Sequence, residues 1–154
     1  MVATVGHISA FPSAHNVISG EARLGLDLCH ENDPARERAV GVLRARAIEI
    51  PVSRGEEWHW HLHQESRAMP TDTNLSALLA RAVEDLGYPA ERLPSGAGHD
   101  AAAVAEIAPI AMLFVRCKGG ISHNRAESVE SEDVAVAIDA TSRFLAILAD
   151  TLDR

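Results

Sequence analysis

The sequence is poor in aromatic side chains and has no long apolar run. Only 4% of its 154 residues are aromatic, whereas 26 are alanine, so we expect a core of small side chains in closely packed helices. The longest mostly apolar run, residues 107–115, contains a proline and is far shorter than the roughly 20 residues that span a membrane. The first residues lack the basic and apolar regions of a signal peptide. We therefore expect no membrane partner.

Positive charge and cysteine are also scarce. Fourteen basic residues, 13 of them arginine, stand against 22 acidic ones and give a net charge of -8. This charge repels phosphate backbones, and the sequence has no basic stripe, so we expect no nucleic-acid partner. The two cysteines, Cys29 and Cys117, have no second cysteine nearby. That usage indicates a reducing, cytoplasmic location.

The first part of the sequence has the alternating pattern of β-strands. Val2, Val5 and Ile8 lie in one extended stretch, and leucines at every second position from Leu24 predict another strand. Residues 56–65 contain a strict alternation of apolar and polar side chains, from Trp58 to His63. They predict a third strand.

Capping residues predict where the helices begin. Asp33, with a proline after it, predicts the N-cap of a helix over residues 34–49. Asp72 predicts the N-cap of a second helix with a clear apolar face. Ser131, followed by two acidic residues, starts the final helix.

The second part of the sequence contains one segment that is typical of a buried strand. Residues 110–115 are a continuous apolar run, which suits a strand covered on both faces of a parallel sheet, yet no parallel neighbour follows it. We therefore predict an α/β chain of two domains. Residues 1–66 would be ordered strand, strand, helix, strand, and residues 67–154 would place capped helices around the single buried strand.

Two glycine-rich loops in the second part carry candidate site residues. The first, residues 119–124, follows the predicted buried strand and presents His123, and ligands bind at the carboxyl ends of strands in α/β sheets. His123 is thus a candidate metal ligand, or a solvated loop residue. The other loop contains Gly98 and His99 before a short helix. The backbone N–H groups of this loop could bind an anion, and His99 could donate a hydrogen bond to an oxyanion that develops during a reaction. An ordinary glycine turn with a capping aspartate is the alternative.

Two segments of the first part have candidate residues with plainer alternatives. His59, His61 and His63 share one face of the third predicted strand, so two of them could chelate a metal ion. A solvent-facing polar edge is the plainer interpretation, because no acidic or cysteine residue is spaced to complete the metal shell. Asn16, in the turn between the first two strands, could bind a polar substrate group or simply stabilise the turn.

Four stretches taken together resemble one family. They are residues 16–20 (Asn-Val-Ile-Ser-Gly), 26–28 (Leu-Asp-Leu), 95–101 (Ser-Gly-Ala-Gly-His-Asp-Ala) and 120–124 (Gly-Ile-Ser-His-Asn) followed by Glu127. Their order and spacing resemble the C-terminal part of binuclear-metal amidohydrolases of the peptidase M20 superfamily. Within it, they resemble the branch of N-carbamoyl-L-amino acid hydrolases, β-ureidopropionases and allantoate amidohydrolases.

The resemblance implies a fold and a reaction. Residues 1–66 would be part of an α+β lid that also makes a dimer, and residues 67–154 would be the C-terminal part of an α/β catalytic domain. The reaction would be hydrolysis of the carbamoyl or ureido C–N bond of N-carbamoyl-L-amino acids or allantoate-like compounds. In that reaction two divalent metal ions, zinc or manganese, activate a bridging water and a glutamate takes its proton.

The resemblance also implies roles for five residues. His123 matches the last metal ligand of the family, and His99 matches a histidine that stabilises the tetrahedral intermediate. Gly98 matches a backbone group beside the substrate, and Asn16 a lid residue that holds the substrate in a partner subunit's site. Cys29 stands where the family has an arginine that binds the substrate carboxylate, and a thiol cannot form that bidentate pair.

The family's remaining metal ligands and its glutamate base have no counterpart in this sequence. Because one histidine cannot hold two metal ions, we expect an incomplete binuclear site and a truncated chain that is inactive alone. As a homodimer, or paired with the missing catalytic half, it would bind a small ureido or carbamoyl substrate. The alternative is a non-catalytic lid or dimerisation module that pairs with a full-length relative.

Overall fold

The structure, a computed structural model, describes residues 1–152 and mixes helices with strands. The helices and strands in chain order are β1 (Val2–Phe11), β2 (Glu21–Cys29), α1 (Asp33–Arg54), α2 (Thr73–Asp85), α3 (Ala101–Val104) and α4 (Ser131–Leu152). None of these helices is both long enough and apolar enough to cross a membrane. The prediction of an α/β chain is confirmed.

The chain divides into two compact units. The first unit contains Met1–Ala68 together with Pro94–Gly98, and the second contains Met69–Leu93 and the described residues from His99 onward. The first unit therefore holds β1, β2 and α1, and the second holds α2, α3 and α4.

The first unit contains a two-stranded antiparallel sheet. Val2 lies opposite Cys29 at one end and Phe11 opposite Glu21 at the other, and the register shifts between Val5 and His7. The two predicted strands and the turn that joins them are thus confirmed. Few side chains of the described chain pack against this sheet, since Ile8 is still 69% exposed.

Residues 56–65 do not form the third strand that their alternation predicts. A strand is stabilised by hydrogen bonds to a neighbouring strand, and β1 and β2 are the only paired strands in residues 1–152. The segment is linked to α1 instead. Arg36 Nη1 donates to Glu65 at 3.1 Å, and the carboxylate of Asp33 accepts the N–H of Ala68 at 3.1 Å.

Helix α1 is longer than the predicted range of residues 34–49, and its cap differs. Asn32 rather than Asp33 is the N-cap, because its side-chain oxygen accepts the N–H of Ala35 at 2.9 Å. The helix continues through a proline in its last turn to Arg54. It ends at Gly55, whose φ of 73° and N–H bonds to the preceding carbonyls satisfy the C-terminus.

Helices α2 and α4 form the core of the second unit. Asp72 caps α2 by accepting the N–H of Leu75 at 2.8 Å, as predicted, and α4 begins at Ser131, as predicted. The buried hydrophobic side chains of the described chain all lie on these two helices: Ala82 (0% exposed), Ala140 (2%) and Ile147 (6%). Two of the three are alanines, so the helices approach closely.

Residues 110–115 are not the buried parallel strand that their apolar run predicts. A parallel strand needs a neighbour in the same sheet, and the described part of the second unit contains no strand at all. The segment begins with a hydrogen bond from the N–H of Asp72 to the carbonyl of Ile110, at 2.8 Å. Its later side chains are partly exposed, with Phe114 at 48%.

Candidate functional site

The loop of residues 117–128, which we call the His123 loop, turns sharply before it reaches His123. Its base is closed by a hydrogen bond from the N–H of Lys118 to the carbonyl of Ser128, at 2.8 Å. Gly119 and Gly120 have φ values of 63° and 70°, which glycine adopts without a steric penalty. His123 has φ of 56° and is the one non-glycine residue of residues 1–152 in this left-handed region.

Two side chains hold His123 in the loop. Ser122 Oγ lies 2.8 Å from Nδ1 of the ring, and Oε2 of Glu127 accepts the backbone N–H at 2.9 Å. With Nδ1 engaged, Nε2 is the ring nitrogen that can face a ligand. His123 is exposed, and its role as a metal ligand remains a prediction.

The described residues could provide one ligand of a metal site but not a complete set of ligands. In residues 1–152 no group of three or more His, Cys, Asp and Glu side chains is arranged to hold a metal ion. An imidazole nitrogen suits zinc and other transition metals, but protein zinc sites use three or four protein ligands. His123 therefore fits such a site only together with donors from outside the described residues.

Gly98 and His99 are neighbours in sequence that belong to different units. In the loop before them, Ser95 Oγ accepts the N–H of Ala97 at 3.2 Å. The carbonyl of His99 accepts the N–H of Ala102 at 2.9 Å, and His99 lies two residues before the first residue of the short helix α3. The sequence predicts a short helix from His99 that a proline at position 109 ends. A helix is present, but it is shorter and covers only Ala101–Val104.

Asn16 lies at the tip of the turn between β1 and β2. The turn is closed by a hydrogen bond from the N–H of Gly20 to the carbonyl of Phe11, at 2.9 Å. Asn16 is exposed, and no hydrogen bond of the described chain holds its side-chain amide. The amide therefore remains able to bind an external polar group.

Cys29 is a half-buried thiol at the end of β2. Its Sγ donates to Oδ2 of Asp27 at 3.5 Å. Burial raises the pKa of this thiol, and the hydrogen bond and negative charge of Asp27 raise it further, while the positive charge of Arg36 acts in the opposite direction. A cysteine side chain carries no positive charge in either protonation state, so this position offers a carboxylate no counter-charge.

The histidines of residues 59–63 are only partly brought together. The rings of His59 and His61 stack with centroids 6.4 Å apart, and Nε2 of His59 lies 3.6 Å from a carboxylate oxygen of Glu57. His63 joins no group of three candidate ligands in the described residues. Trp58 and Trp60 pair with centroids 6.3 Å apart, so the alternation of side chains persists without a strand.

Sequence reasoning gave no role to Ser122 or Glu127, the two residues that contact His123. Glu127 follows one of the stretches that resemble the family. Its position four residues after His123 was the one sequence feature that could have indicated a contact between them. Spacing alone could not reveal the contact, because loops lack the fixed geometry that makes such positions neighbours on a helix.

Comparisons with known proteins place these segments in a family context. The sequence matches the family model "Peptidase family M20/M25/M40" over residues 6–147. It is 38% identical to allantoate deiminase of Arabidopsis thaliana over 94% of this chain and 29% of that protein. It is 35% identical to N-carbamoyl-L-amino acid amidohydrolase of Geobacillus stearothermophilus over 90% of this chain and 34% of that protein.

A solved structure is similar over the same part of the chain. The crystal structure of an amidase of the hydantoinase/carbamoylase family from Burkholderia multivorans superposes with a TM-score of 0.85 and 31% identity. The match covers 93% of this chain and 35% of that one. The chain thus spans about a third of the length of the relatives that it matches.

Proposed function

Because this chain belongs to peptidase family M20/M25/M40, we propose that it takes part in hydrolysing the C–N bond of small carbamoyl or ureido compounds. The observation that carries the proposal is its similarity, over nearly its whole length, to an allantoate deiminase and to an N-carbamoyl-L-amino acid amidohydrolase. N-carbamoyl-L-amino acids and allantoate-like compounds are the proposed substrate class.

His123 is the proposed metal ligand of this chain. The contact of Nδ1 with Ser122 leaves Nε2 to bind a divalent zinc or manganese ion. When bound, such an ion supplies an activated water and a polarised carbonyl. His123 would be one ligand among several, and we expect the others from outside the described residues.

His99, Gly98 and Asn16 are the proposed substrate-side residues. His99 would donate a hydrogen bond to the oxyanion that develops on the attacked carbonyl, which is the point where a fixed donor lowers the barrier most. The backbone of Gly98 would lie beside the substrate. The side-chain amide of Asn16, exposed at the tip of its turn, would hold a polar substrate group, in the site of a partner subunit if the protein is a dimer.

We infer that the 154-residue chain does not hydrolyse these compounds by itself. One imidazole cannot hold the two metal ions of a binuclear site, and the described residues contain no cluster that supplies the remaining ligands. The general base is likewise expected from residues outside this sequence. The chain would then form a working site as one part of a larger protein or assembly.

A chimera tests the proposed reaction. This sequence would replace the matching third of the Geobacillus stearothermophilus enzyme, and ammonia release would be measured from N-carbamoyl-L-amino acids and allantoate with zinc or manganese. We expect metal-dependent release from at least one of these compounds, and His63→Ala, an exposed change outside the proposed roles, should leave the rate unchanged. A chimera that matches its parent in circular dichroism and metal content yet hydrolyses neither class would contradict the proposal.

The alternative function, a non-catalytic pairing module, is favoured by the sheet of the first unit. Each of its two strands pairs on one side only within the described residues, and Ile8 of β1 is largely exposed. Such a module would form a stable complex with a full-length relative in analytical ultracentrifugation, and Ile8→Lys would weaken it. Strictly monomeric behaviour in that mixture would count against the alternative.

A further inference from the structure

The backbone of His123 has a conformation that requires support from its surroundings. Its φ of 56° lies in the left-handed region, which a residue with a Cβ atom adopts at a steric cost. Residues with such dihedrals persist when neighbouring groups hold them, and they are concentrated at functional sites. The strongest candidate for that support is the carboxylate of Glu127, which accepts the His123 N–H at 2.9 Å.

Glu127 is itself fixed at both ends. Its own N–H donates to the carbonyl of Asn124 at 3.0 Å, which ties its backbone to the tip of the loop. Its second carboxylate oxygen, Oε1, lies 3.8 Å from Sγ of Cys117 at the base of the loop. One carboxylate therefore contacts both the base of the His123 loop and the backbone of His123.

The ring of His123 is held by a different residue. Ser122 Oγ contacts Nδ1 at 2.8 Å, whereas Glu127 contacts only the backbone N–H. The two contacts have different effects on His123. Ser122 can fix the rotation of the ring, and Glu127 can fix the direction in which the backbone points the side chain. A hydrogen bond from a backbone N–H to an ionised carboxylate is stronger than one to a neutral acceptor.

The geometry points to Glu127 as a positioning residue that holds His123 in its left-handed conformation and so aims Nε2 out of the loop. The inference rests on the proposed function in one respect, namely that Nε2 of His123 is the atom that binds the metal. The positioning itself is a property of the loop without metal.

The test is made on the metal-free 154-residue chain by NMR. In Glu127→Ala we expect about tenfold faster hydrogen exchange of the His123 amide and a changed three-bond HN–Hα coupling at this residue. Glu127→Gln keeps an oxygen acceptor of the same length and should remain close to the parent protein. Glu127→Asp, one methylene shorter, should behave like the alanine variant.

Glu130→Ala is the matched control. Glu130 accepts from Nζ of Lys118 at 2.9 Å near the same loop but has no contact with His123, so its loss should leave the His123 amide unchanged. The helical circular dichroism signal of all variants should match the parent, because the loop lies outside α2 and α4. Unchanged exchange and coupling at His123 in both Glu127→Ala and Glu127→Asp would overturn the inference.

A second readout separates positioning from general loop stability. In the chimera that keeps His123, Glu127→Ala should lower kcat/KM. In the chimera that already carries His123→Ala, Glu127→Ala should have no further effect on kcat/KM, because Glu127 acts through His123. An equal loss in both backgrounds would overturn the inference. If His123→Ala retains full activity while Glu127→Ala still frees the His123 amide, the proposed function fails and the positioning stands.

Discussion

At the scale of single residues, the candidate chemistry of this chain lies on loops and at element ends. Asn16 is at the tip of a turn, His99 lies two residues before a short helix, and His123 is presented by a loop. Loops carry functional groups because their backbone can adopt conformations that helices and strands forbid. The left-handed backbone of His123 is the clearest example.

Replacing Asp27 with Asn should make the thiol of Cys29 more reactive. The pKa of Cys29 is raised, first by burial and then by Asp27, so the thiol stays protonated to a higher pH than an ordinary cysteine. Removing the carboxylate charge lowers that pKa. The curve of alkylation rate against pH should therefore shift to lower pH, with a several-fold faster rate near pH 8.

Peptide mass spectrometry after iodoacetamide treatment measures this change. Cys117 serves as the internal control, because it belongs to the other unit and its alkylation should be the same in both proteins. Superimposed Cys29 curves for the parent and Asp27→Asn would show that Asp27 does not raise the pKa.

The sequence predicted the location of the site residues better than their detailed contacts. Glycines and capping residues are local signals, so the turn of Asn16 and the loop of His123 could be predicted from a few neighbours. The carboxylate of Glu127 reaches His123 only after the base of the loop has closed through Lys118 and Ser128. The N-cap of α1 was assigned to Asp33 rather than Asn32, because adjacent residues both have side chains that can cap.

At the scale of elements, the packing of α2 against α4 should tolerate no large side chain at its centre. Ala82 is completely buried, so Ala82→Leu would force the helices apart and cost about 1–3 kcal/mol of unfolding free energy. Urea unfolding followed by circular dichroism measures the effect.

Ala77→Leu is the matched control on the same helix. Ala77 is exposed, and leucine is nearly as good a helix former as alanine, so its midpoint should stay close to that of the parent. Equal midpoints for Ala82→Leu and Ala77→Leu would contradict the described packing.

Helices could be predicted from sequence here, and strands without neighbours could not. Each helix is stabilised by hydrogen bonds within itself, and the signals for its start are local in the sequence, so α2 and α4 start where predicted. A strand needs a second segment, and only β1 and β2 find one in the described chain. The patterns of residues 56–65 and 110–115 describe which side chains would suit a sheet, not whether a partner strand is there.

At the scale of the whole molecule, the chain matches about a third of each relative, and it forms two units rather than one core. We expect that the purified chain, supplied with zinc or manganese, releases no ammonia from N-carbamoyl-L-amino acids or allantoate. The reason is that the described residues contain no cluster of three side chains that could hold a metal ion, and His123 is the one metal ligand that we propose. Metal-dependent release by the chain alone would refute this expectation.

We propose above all that this chain supplies His123 as a metal ligand to a site that hydrolyses carbamoyl or ureido C–N bonds. The most direct measurement is the rate of ammonia release by the chimera with and without His123→Ala, at equal helical content. We expect His123→Ala to lower this rate by about 100-fold or more and to weaken metal binding. A His123→Ala chimera that keeps the parent rate and metal content would contradict it.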